Sequence, residues 1–175
     1  VSGVDLSFNR LLVNSDKLGN LSISINSTTL IEFLTPALVN EGSEIMIDRV
    51  GKFNYDTNTH SLPKNRINAF LNWKYQDYSI NFNSRYIDGY SNERPINNLG
   101  TSYGYNNSVD SFFVHDLSFK KLLITNSGEI DIKLSIINIF DEAAPRLYDA
   151  PDFSFDTRVH DPRGRIIGIS LEYKN

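Results

Sequence analysis

Apolar and polar residues alternate with a period of two along most of this 175-residue chain. This period is typical of β-strands that present one apolar face and one polar face. The segment 130–136, for example, reads Ile-Asp-Ile-Lys-Leu-Ser-Ile. The spacing of an amphipathic helix is nowhere maintained for more than two turns. We therefore predict an all-β chain with about seven strands, near residues 4–9, 21–26, 66–73, 78–86, 113–119, 130–136 and 167–173.

The lengths of the strands and of their connections narrow the fold class. The predicted strands, counted with the residues that flank the segments given above, run for about 9–13 residues. Soluble strands average about 5–6 residues, and tilted membrane strands need about 9–11. The connections alternate between short and long, which is typical of an antiparallel up-and-down meander with short turns at one end. The short connections are predicted at 14–19, 76–77 and 121–128, and the long ones at 35–62, 91–108 and 141–163.

Aromatic residues on the apolar face are predicted at both ends of the strands. Rings at both ends with Ile and Leu between them are typical of the interfacial girdles of a membrane β-barrel. A soluble β-sandwich also alternates, and would bury the same residues in its core. The pattern favours the membrane barrel, and a self-contained sandwich or small barrel acting as a binding module or adhesin is the alternative. The residues concerned are Trp73, Tyr78, Phe119 and Tyr173 near short connections, and Tyr86, Phe113 and Phe140 near long ones.

Composition and motifs exclude several other classes of protein. The net charge of −4 disfavours binding to nucleic acid, and the absence of cysteine excludes disulfides and thiolate metal sites. No nucleophile elbow, phosphate-binding loop or dinucleotide fingerprint occurs. His60, His115 and His160 lack the spacing of metal ligands, and His115, an outlier on the apolar face, is expected either near a rim or turned by a bulge. We predict neither an enzyme nor a metal site.

The C-terminal segment 161–174, Asp-Pro-Arg-Gly-Arg followed by Ile-Ile-Gly-Ile-Ser-Leu-Glu-Tyr-Lys, resembles the closing strand of TonB-dependent outer-membrane receptors. These receptors commonly place Pro-Arg before an alternating last strand. The segment 136–141, Ile-Ile-Asn-Ile-Phe-Asp, resembles their penultimate strand. Other segments resemble earlier strands in the order of the family: 3–7, 61–66 with 71–73, 85–90 and 114–118.

The resemblance implies that residues 1–175 are the C-terminal part of a transmembrane β-barrel of roughly 22 strands. Its long loops would be extracellular and its C-terminus periplasmic. The plug domain and the N-terminal strands would lie outside this chain, and the start at Val1 without a signal peptide agrees with such a piece. Seven strands alone cannot close a barrel of that size.

The function implied by the resemblance is active import of a scarce nutrient of the siderophore, cobalamin or oligosaccharide type. The implied partners are outer-membrane lipid, the TonB complex through the missing N-terminal part, the barrel-assembly machinery, and the small-molecule or oligosaccharide substrate. No cofactor is implied. The family usually ends in an aromatic residue that the assembly machinery recognises, whereas this chain ends in Asn175. Gly168, Leu171 and Tyr173 keep the spacing of that assembly signal, so either the signal is read two residues early or Asn175 is not the native C-terminus.

Candidate substrate contacts lie in two long loops and on one strand. Tyrosine and asparagine offer ring stacking and adaptable hydrogen bonds to a sugar or a chelate, although such residues also occur in loops simply as turn formers. The candidates are Arg94, Tyr103, Tyr105 and Asn106 in the first loop, Tyr148, Asp149 and Asp152 in the second, and Arg85 on the polar face of its strand, for a plug or substrate contact.

Acidic residues are concentrated in the second of these loops. Carboxylates attract hard cations such as calcium, but the spacing of Asp149, Asp152, Asp156 and Asp161 fits no EF-hand. A solvated acidic loop is favoured over a dedicated calcium site. The charges on the polar faces of the strands are expected to pair across strands, because buried charges need partners. These are Asp5, Arg66, Arg85, Asp116, Asp131, Lys133 and Glu172.

Overall fold

The structure, a computed structural model, describes residues 1–36, 45–55, 60–149 and 154–174. No helix in these ranges is both long and apolar enough to cross a membrane. The chain is all-β with almost no helix, as predicted. Its elements are β1 (Ser2–Ser15), β2 (Gly19–Glu32), β3 (Leu34–Pro36), β4 (Met46–Asp48), β5 (Asn65–Tyr75), β6 (Tyr78–Ile87), β7 (Tyr90–Ser91), α1 (Asn98–Ser102), β8 (Ser108–Val109), β9 (Phe112–Thr125), β10 (Gly128–Ile137) and β11 (Ile166–Lys174).

Seven of these strands form one antiparallel sheet in the order β1-β2-β5-β6-β9-β10-β11. Each strand pairs with the next long strand along the chain, so the predicted meander of seven strands is confirmed. The strands contain 9 to 14 residues. The sheet is open, because β1 and β11 each pair with one neighbour. The remaining strands form two small sheets, β3–β4 and β7–β8, within the long connections.

The connections alternate as predicted, but two of the three short ones, predicted at 14–19 and 121–128, are shorter than expected. The short turns at 16–18, 76–77 and 126–127 lie at one end of the sheet, and the long connections lie at the other. β9 continues to Thr125, so the connection expected at 121–128 is a two-residue turn. Lys121 interrupts the sequence pattern without ending the strand, because its Nζ lies 4.9 Å from the centre of the Tyr78 ring on the apolar face.

The apolar face of the sheet is not covered by another layer of the described residues. Ile169 and Leu171 are 75% and 71% exposed, and Leu134 is also exposed. Neither small sheet packs extensively against the large one. The buried apolar cluster lies instead among the long connections, where it comprises Phe53, Tyr90, Val109 and Leu147, with Val159 packed against it.

Two aromatic rows lie on the apolar face, one at each end. The turn-side row contains Trp73, Tyr75, Tyr78 and Tyr173, and the loop-side row contains Tyr86, Phe113 and Phe140. The prediction for Phe119 is wrong, because β9 continues to Thr125 and leaves Phe119 in mid-strand, opposite Leu134. The Trp73 Nε1 donates to the carbonyl of Leu18 at 2.8 Å, and the Tyr173 hydroxyl donates to the carbonyl of Ser127. These bonds tie the turn-side row to the turns beneath it.

His115 lies beside the loop-side row, as the fourth residue of β9. Its Nδ1 is 2.8 Å from the Ser84 Oγ on the neighbouring strand. Its ring lies 4.2 Å from that of Phe113 and 5.3 Å from that of Phe140. The expected position near a rim is therefore found, in regular register and without a bulge.

The polar face is joined by cross-strand hydrogen bonds and ion pairs. Arg85 pairs with Asp116 at 3.2 Å, and Asp131 binds the ammonium groups of Lys120 and Lys174. The expected cross-strand ion pairs are found for three of the seven predicted charges, Arg85, Asp116 and Asp131. Asp5 accepts a hydrogen bond from the Thr28 hydroxyl across strands, and Glu172 pairs with Lys174 of its own strand. Arg66 and Lys133 make no ion pair within the described ranges.

Candidate functional site

Two long connections, 88–111 and 138–165, meet at the loop end of the sheet. The Tyr105 and Tyr148 rings pack edge to face with centres 5.6 Å apart. Arg94 forms an ion pair with Asp149. Five predicted candidates from two loops are thus brought together. We call this group, with two further residues described below, the arginine–tyrosine cluster: Tyr55, Arg94, Tyr103, Tyr105, Arg146, Tyr148 and Asp149.

The short helix α1 positions the two tyrosines of the first loop. The Asn97 side chain caps its N-terminus by accepting from the Gly100 N–H at 2.7 Å. At the other end Gly104 has φ +80°, and its N–H donates to the Thr101 carbonyl at 3.0 Å. The Tyr105 N–H donates to the Gly100 carbonyl at 3.2 Å, which completes a Schellman motif. Tyr103 and Tyr105 therefore flank a glycine in the left-handed conformation.

A close contact joins α1 to the second loop. A Cβ atom on Gly100 would lie 2.6 Å from the Tyr148 Cε2, so only glycine allows this ring to lie against the helix. The Asn92 side-chain amide donates to the backbone carbonyl of Tyr148 at 3.1 Å. Two contacts with the first loop thus hold Tyr148, one through its ring and one through its carbonyl.

Each arginine of the cluster lies over a tyrosine ring. The Arg146 Cζ is 4.3 Å from the centre of the Tyr105 ring, and the Arg94 Cζ is 4.8 Å from that of Tyr55. Hydrogen bonding from Ser154, and then from Arg146, lowers the pKa of the Tyr105 hydroxyl.

Sequence reasoning missed two members of the cluster, Tyr55 and Arg146. Arg146 stands two residues before Tyr148, a spacing that puts side chains on one side of an extended segment and was a usable signal. Tyr55 belongs to a third connection, and no local pattern points to it.

The other candidates do not join the cluster. Arg85 lies on the polar face of β6 and lines a cavity of about 90 Å³ with Asp161 and Arg163. The Asn106 Oδ1 accepts from the N–H and the hydroxyl of Ser108, at 2.8 and 2.7 Å, so its side chain stabilises a turn. Asp152 lies outside the described residues.

The aspartates of the second loop have separate partners. Asp149 pairs with Arg94, Asp156 is buried, and Asp161 binds Arg163, whose hydrogen bonds lower the pKa of the Asp161 carboxyl to about 2. Within the described ranges, no three His, Asp or Glu side chains converge on a metal position. The calcium interpretation gains no support from this geometry.

A buried polar network lies beneath the loops, around Asp156. Its Oδ2 accepts hydrogen bonds from the Ser61 hydroxyl and, at 3.1 Å, from the Tyr90 hydroxyl. The Tyr90 hydroxyl is 3.2 Å from the His160 Nε2, and the two rings stack. Burial, followed by the charge of Asp156, raises the pKa of Tyr90. We call Ser61, Tyr90, Asp156 and His160 the loop network.

The loop network differs from a nucleophile–base arrangement. The Ser61 hydroxyl bonds to Asp156 rather than to His160, so the imidazole is not placed to take its proton. The His160 Nδ1 is buried and has no hydrogen-bond partner among the described residues. The network is suited to holding three connections together, since Ser61, Tyr90 and Asp156 come from different ones.

We expect the loop network to weaken as the pH falls from about 6.5 to about 4. Burial lowers the pKa of His160 to about 4, against an unfolded value near 6.5. His160 therefore binds a proton more readily in the released loop than in the packed loop. The contribution of neutral His160 to the stability of the packed loop is complete above pH 6.5 and is lost as the pH falls towards 4. Hydrogen exchange at the Leu147 amide, which donates to the Ser154 carbonyl, measures the loss.

His160→Gln is the control for this pH dependence. Glutamine keeps an N–H donor for the Tyr90 hydroxyl but does not titrate. Exchange at Leu147 should then lose its pH dependence in this window, beyond the intrinsic effect of pH on exchange. An unchanged pH profile in the variant would show that another group is responsible.

The proposed assembly residues lie on the edge strand β11. Leu171 and Tyr173 project from the apolar face and are exposed. Gly168 lies on the polar face opposite Ser135, where a Cβ atom would be 3.0 Å from the Ser135 Oγ. The three residues lie on a strand whose outer edge has no partner in the described sheet, and their role as an assembly signal stays a prediction. Asn175 lies outside the described residues.

Comparison with known proteins returns no family model, curated protein or solved structure that matches this chain. A proposal about function therefore depends on the sheet and on the side chains that it positions.

Proposed function

We propose that this chain is the C-terminal part of the barrel of a TonB-dependent outer-membrane receptor. The observation that carries the proposal is the uncovered apolar face of one seven-stranded sheet. Burial of apolar area is worth about 25 cal/mol per Å². A soluble protein rarely leaves a continuous apolar patch of more than a few hundred Å² exposed. Lipid hydrocarbon is a medium in which such a face is stable.

The alternative of a β-sandwich requires a second layer on that face. The described residues supply none, and their buried apolar cluster lies among the connections instead. Interior packing of a sandwich would bury Leu134 and Ile169. Both are exposed, and Ile80 is only half-buried.

The spacing of the aromatic rows supports a membrane position for the sheet. Tyr78 and Tyr86 mark the two rows on β6, and eight residues separate them. At about 3.3 Å per residue this is about 26 Å along the strand, or about 20 Å after a tilt of roughly 40°. The apolar band of outer-membrane barrels is about 25 Å tall.

The open edges of the sheet support completion by further strands. β1 and β11 each leave one row of backbone groups unpaired within the described sheet. An unpaired backbone group in hydrocarbon costs several kcal/mol, so a spanning sheet must close. Closure by the N-terminal strands of a barrel of about 22 strands satisfies both edges.

We place the C-terminus in the periplasm, so the short turns also face the periplasm. The long connections and the arginine–tyrosine cluster then face the outside of the cell. The cluster is then a contact site for an imported nutrient of small-molecule or oligosaccharide type. The energy for import would be relayed by TonB to the plug. The polar face, with its paired charges, would line the lumen around the plug.

Cysteine labelling in the full-length protein tests the orientation. Because the chain has no cysteine, Ser102→Cys in α1 and Ser127→Cys in the last short turn introduce single sites here. A membrane-impermeant maleimide should label Ser102→Cys on intact cells, and Ser127→Cys only after permeabilisation of the outer membrane. Equal labelling of both sites on intact cells, or recovery of the protein in the soluble fraction, would contradict the proposal.

A further inference from the structure

We propose that Arg146 and Tyr103 form a subsite for a ligand that carries a carboxylate beside a flat apolar group. The subsite belongs to the arginine–tyrosine cluster, and its role in nutrient capture rests on the proposed function. The binding chemistry itself depends only on the geometry of the cluster. The ligand would place its carboxylate on the Arg146 guanidinium and its flat group on the Tyr103 ring.

The two arginines of the cluster differ in what binds their guanidinium groups. Arg94 is neutralised by its ion pair with Asp149. Arg146 is exposed, donates from Nη1 to the Tyr103 carbonyl at 3.2 Å, and has no acidic partner within the described ranges. One guanidinium charge of the cluster is therefore left for a ligand, and it lies at the surface.

The Arg146 guanidinium is held ready for an anion by its contacts. Its distance of 4.3 Å from the Tyr105 ring and its bond to the Tyr103 carbonyl restrict the plane of the group. A guanidinium has five N–H donors in a rigid fork that matches the two oxygens of a carboxylate. Restricting the side chain before binding reduces the entropy lost on binding.

The Tyr103 ring supplies an apolar surface beside this charge. It is 65% exposed, although its backbone is fixed at the end of α1 by the Schellman motif. An exposed aromatic ring on a fixed backbone binds flat groups at low entropic cost. Because Arg146 bonds to the carbonyl of this same residue, the ring and the guanidinium are held at one place.

Binding of benzoate to the detergent-solubilised full-length receptor tests the subsite, with benzyl alcohol as the neutral probe of similar shape. Ligand-observed NMR should show saturable benzoate binding that is at least tenfold stronger than binding of benzyl alcohol. Arg146→Gln should weaken benzoate binding at least tenfold. Arg146→Lys should restore it in part, because lysine keeps the charge without the fork. Arg158→Gln should leave benzoate binding unchanged, because Arg158 is an exposed arginine of the same loop as Arg146 whose guanidinium contacts His60 of another connection instead.

Tyr103→Ala separates the two parts of the subsite. This variant should weaken benzoate binding several-fold and leave acetate binding unchanged. Equal binding of benzoate and benzyl alcohol, or benzoate binding that survives Arg146→Gln, would overturn the proposal. These results are independent of the labelling experiment, so a failed orientation test and a failed subsite are distinguishable.

Discussion

Ile169→Arg in the full-length protein is expected to destabilise the proposed barrel by about 2–4 kcal/mol, the cost of a lipid-facing Arg near the bilayer midplane. Ile169 lies near the middle of β11 and projects from the apolar face, where it is 75% exposed. At a water-exposed position the same change would alter stability by only about 0.5 kcal/mol. Urea unfolding of the full-length protein in lipid vesicles, followed by the heat-modifiable shift on gels, measures the difference.

Ser170→Arg is the matched control for this change. Ser170 is the next residue of β11 and lies on the polar face opposite Lys133. Its replacement adds a like-charge pair across strands, which costs less than about 1 kcal/mol. Equal effects of the two changes would mean that the two faces of the sheet meet the same medium, and the membrane proposal would fail.

Asp156→Ala is expected to lower the free energy of opening of the packed loops by about 2–4 kcal/mol. The change removes the charged acceptor of the buried Ser61 and Tyr90 hydroxyls, and a hydrogen bond to a charged group contributes about 1.5–3 kcal/mol. The remaining contacts, of the Ser61 hydroxyl with the Phe53 carbonyl and of the Tyr90 hydroxyl with the His160 Nε2, both at 3.2 Å, offset part of that loss. Exchange of the Leu147 amide should then accelerate by roughly 30- to 1000-fold, since each 1.4 kcal/mol is tenfold. Leu147 is the natural reporter because it is 1% exposed and belongs to the buried apolar cluster.

Asp110→Ala controls for the loss of one acidic residue from the same end of the molecule. Asp110 is exposed and makes no hydrogen bond or ion pair within the described ranges. Its replacement should leave exchange at Leu147 within a factor of about two. If Asp156→Ala had no larger effect than this control, the loop network would not hold the connections together.

The arginine–tyrosine cluster shows where reasoning from sequence stops. Tyr103, Tyr105 and Tyr148 were identified from the chemistry of their side chains, and Asn97 and Gly104 are recognisable cap residues. The contact between Tyr148 and Gly100 was not predictable, because it depends on how two loops separated by β9 and β10 fold back over one end of the sheet. The pairing of Arg85 with a neighbouring strand was expected from its place on a polar face, whereas no local pattern indicated Asp149, in a distant loop, as the partner of Arg94.

The sequence by itself determined the seven long strands and their two faces, because a period of two is a local property. It also determined the pairs β1–β2, β5–β6 and β9–β10, because short turns force adjacent strands to pair. The aromatic rows were located except for Phe119, whose place depended on where β9 ends. Only the tertiary structure decided that the apolar face has no covering layer in the described chain and that Asp156 and His160 lie in a buried network. The tertiary structure also decided that the Arg146 guanidinium has no acidic partner among the described residues and that the Asp149 carboxylate pairs with Arg94. Such contacts join residues far apart in the chain, and their partners are chosen by loop packing rather than by local pattern.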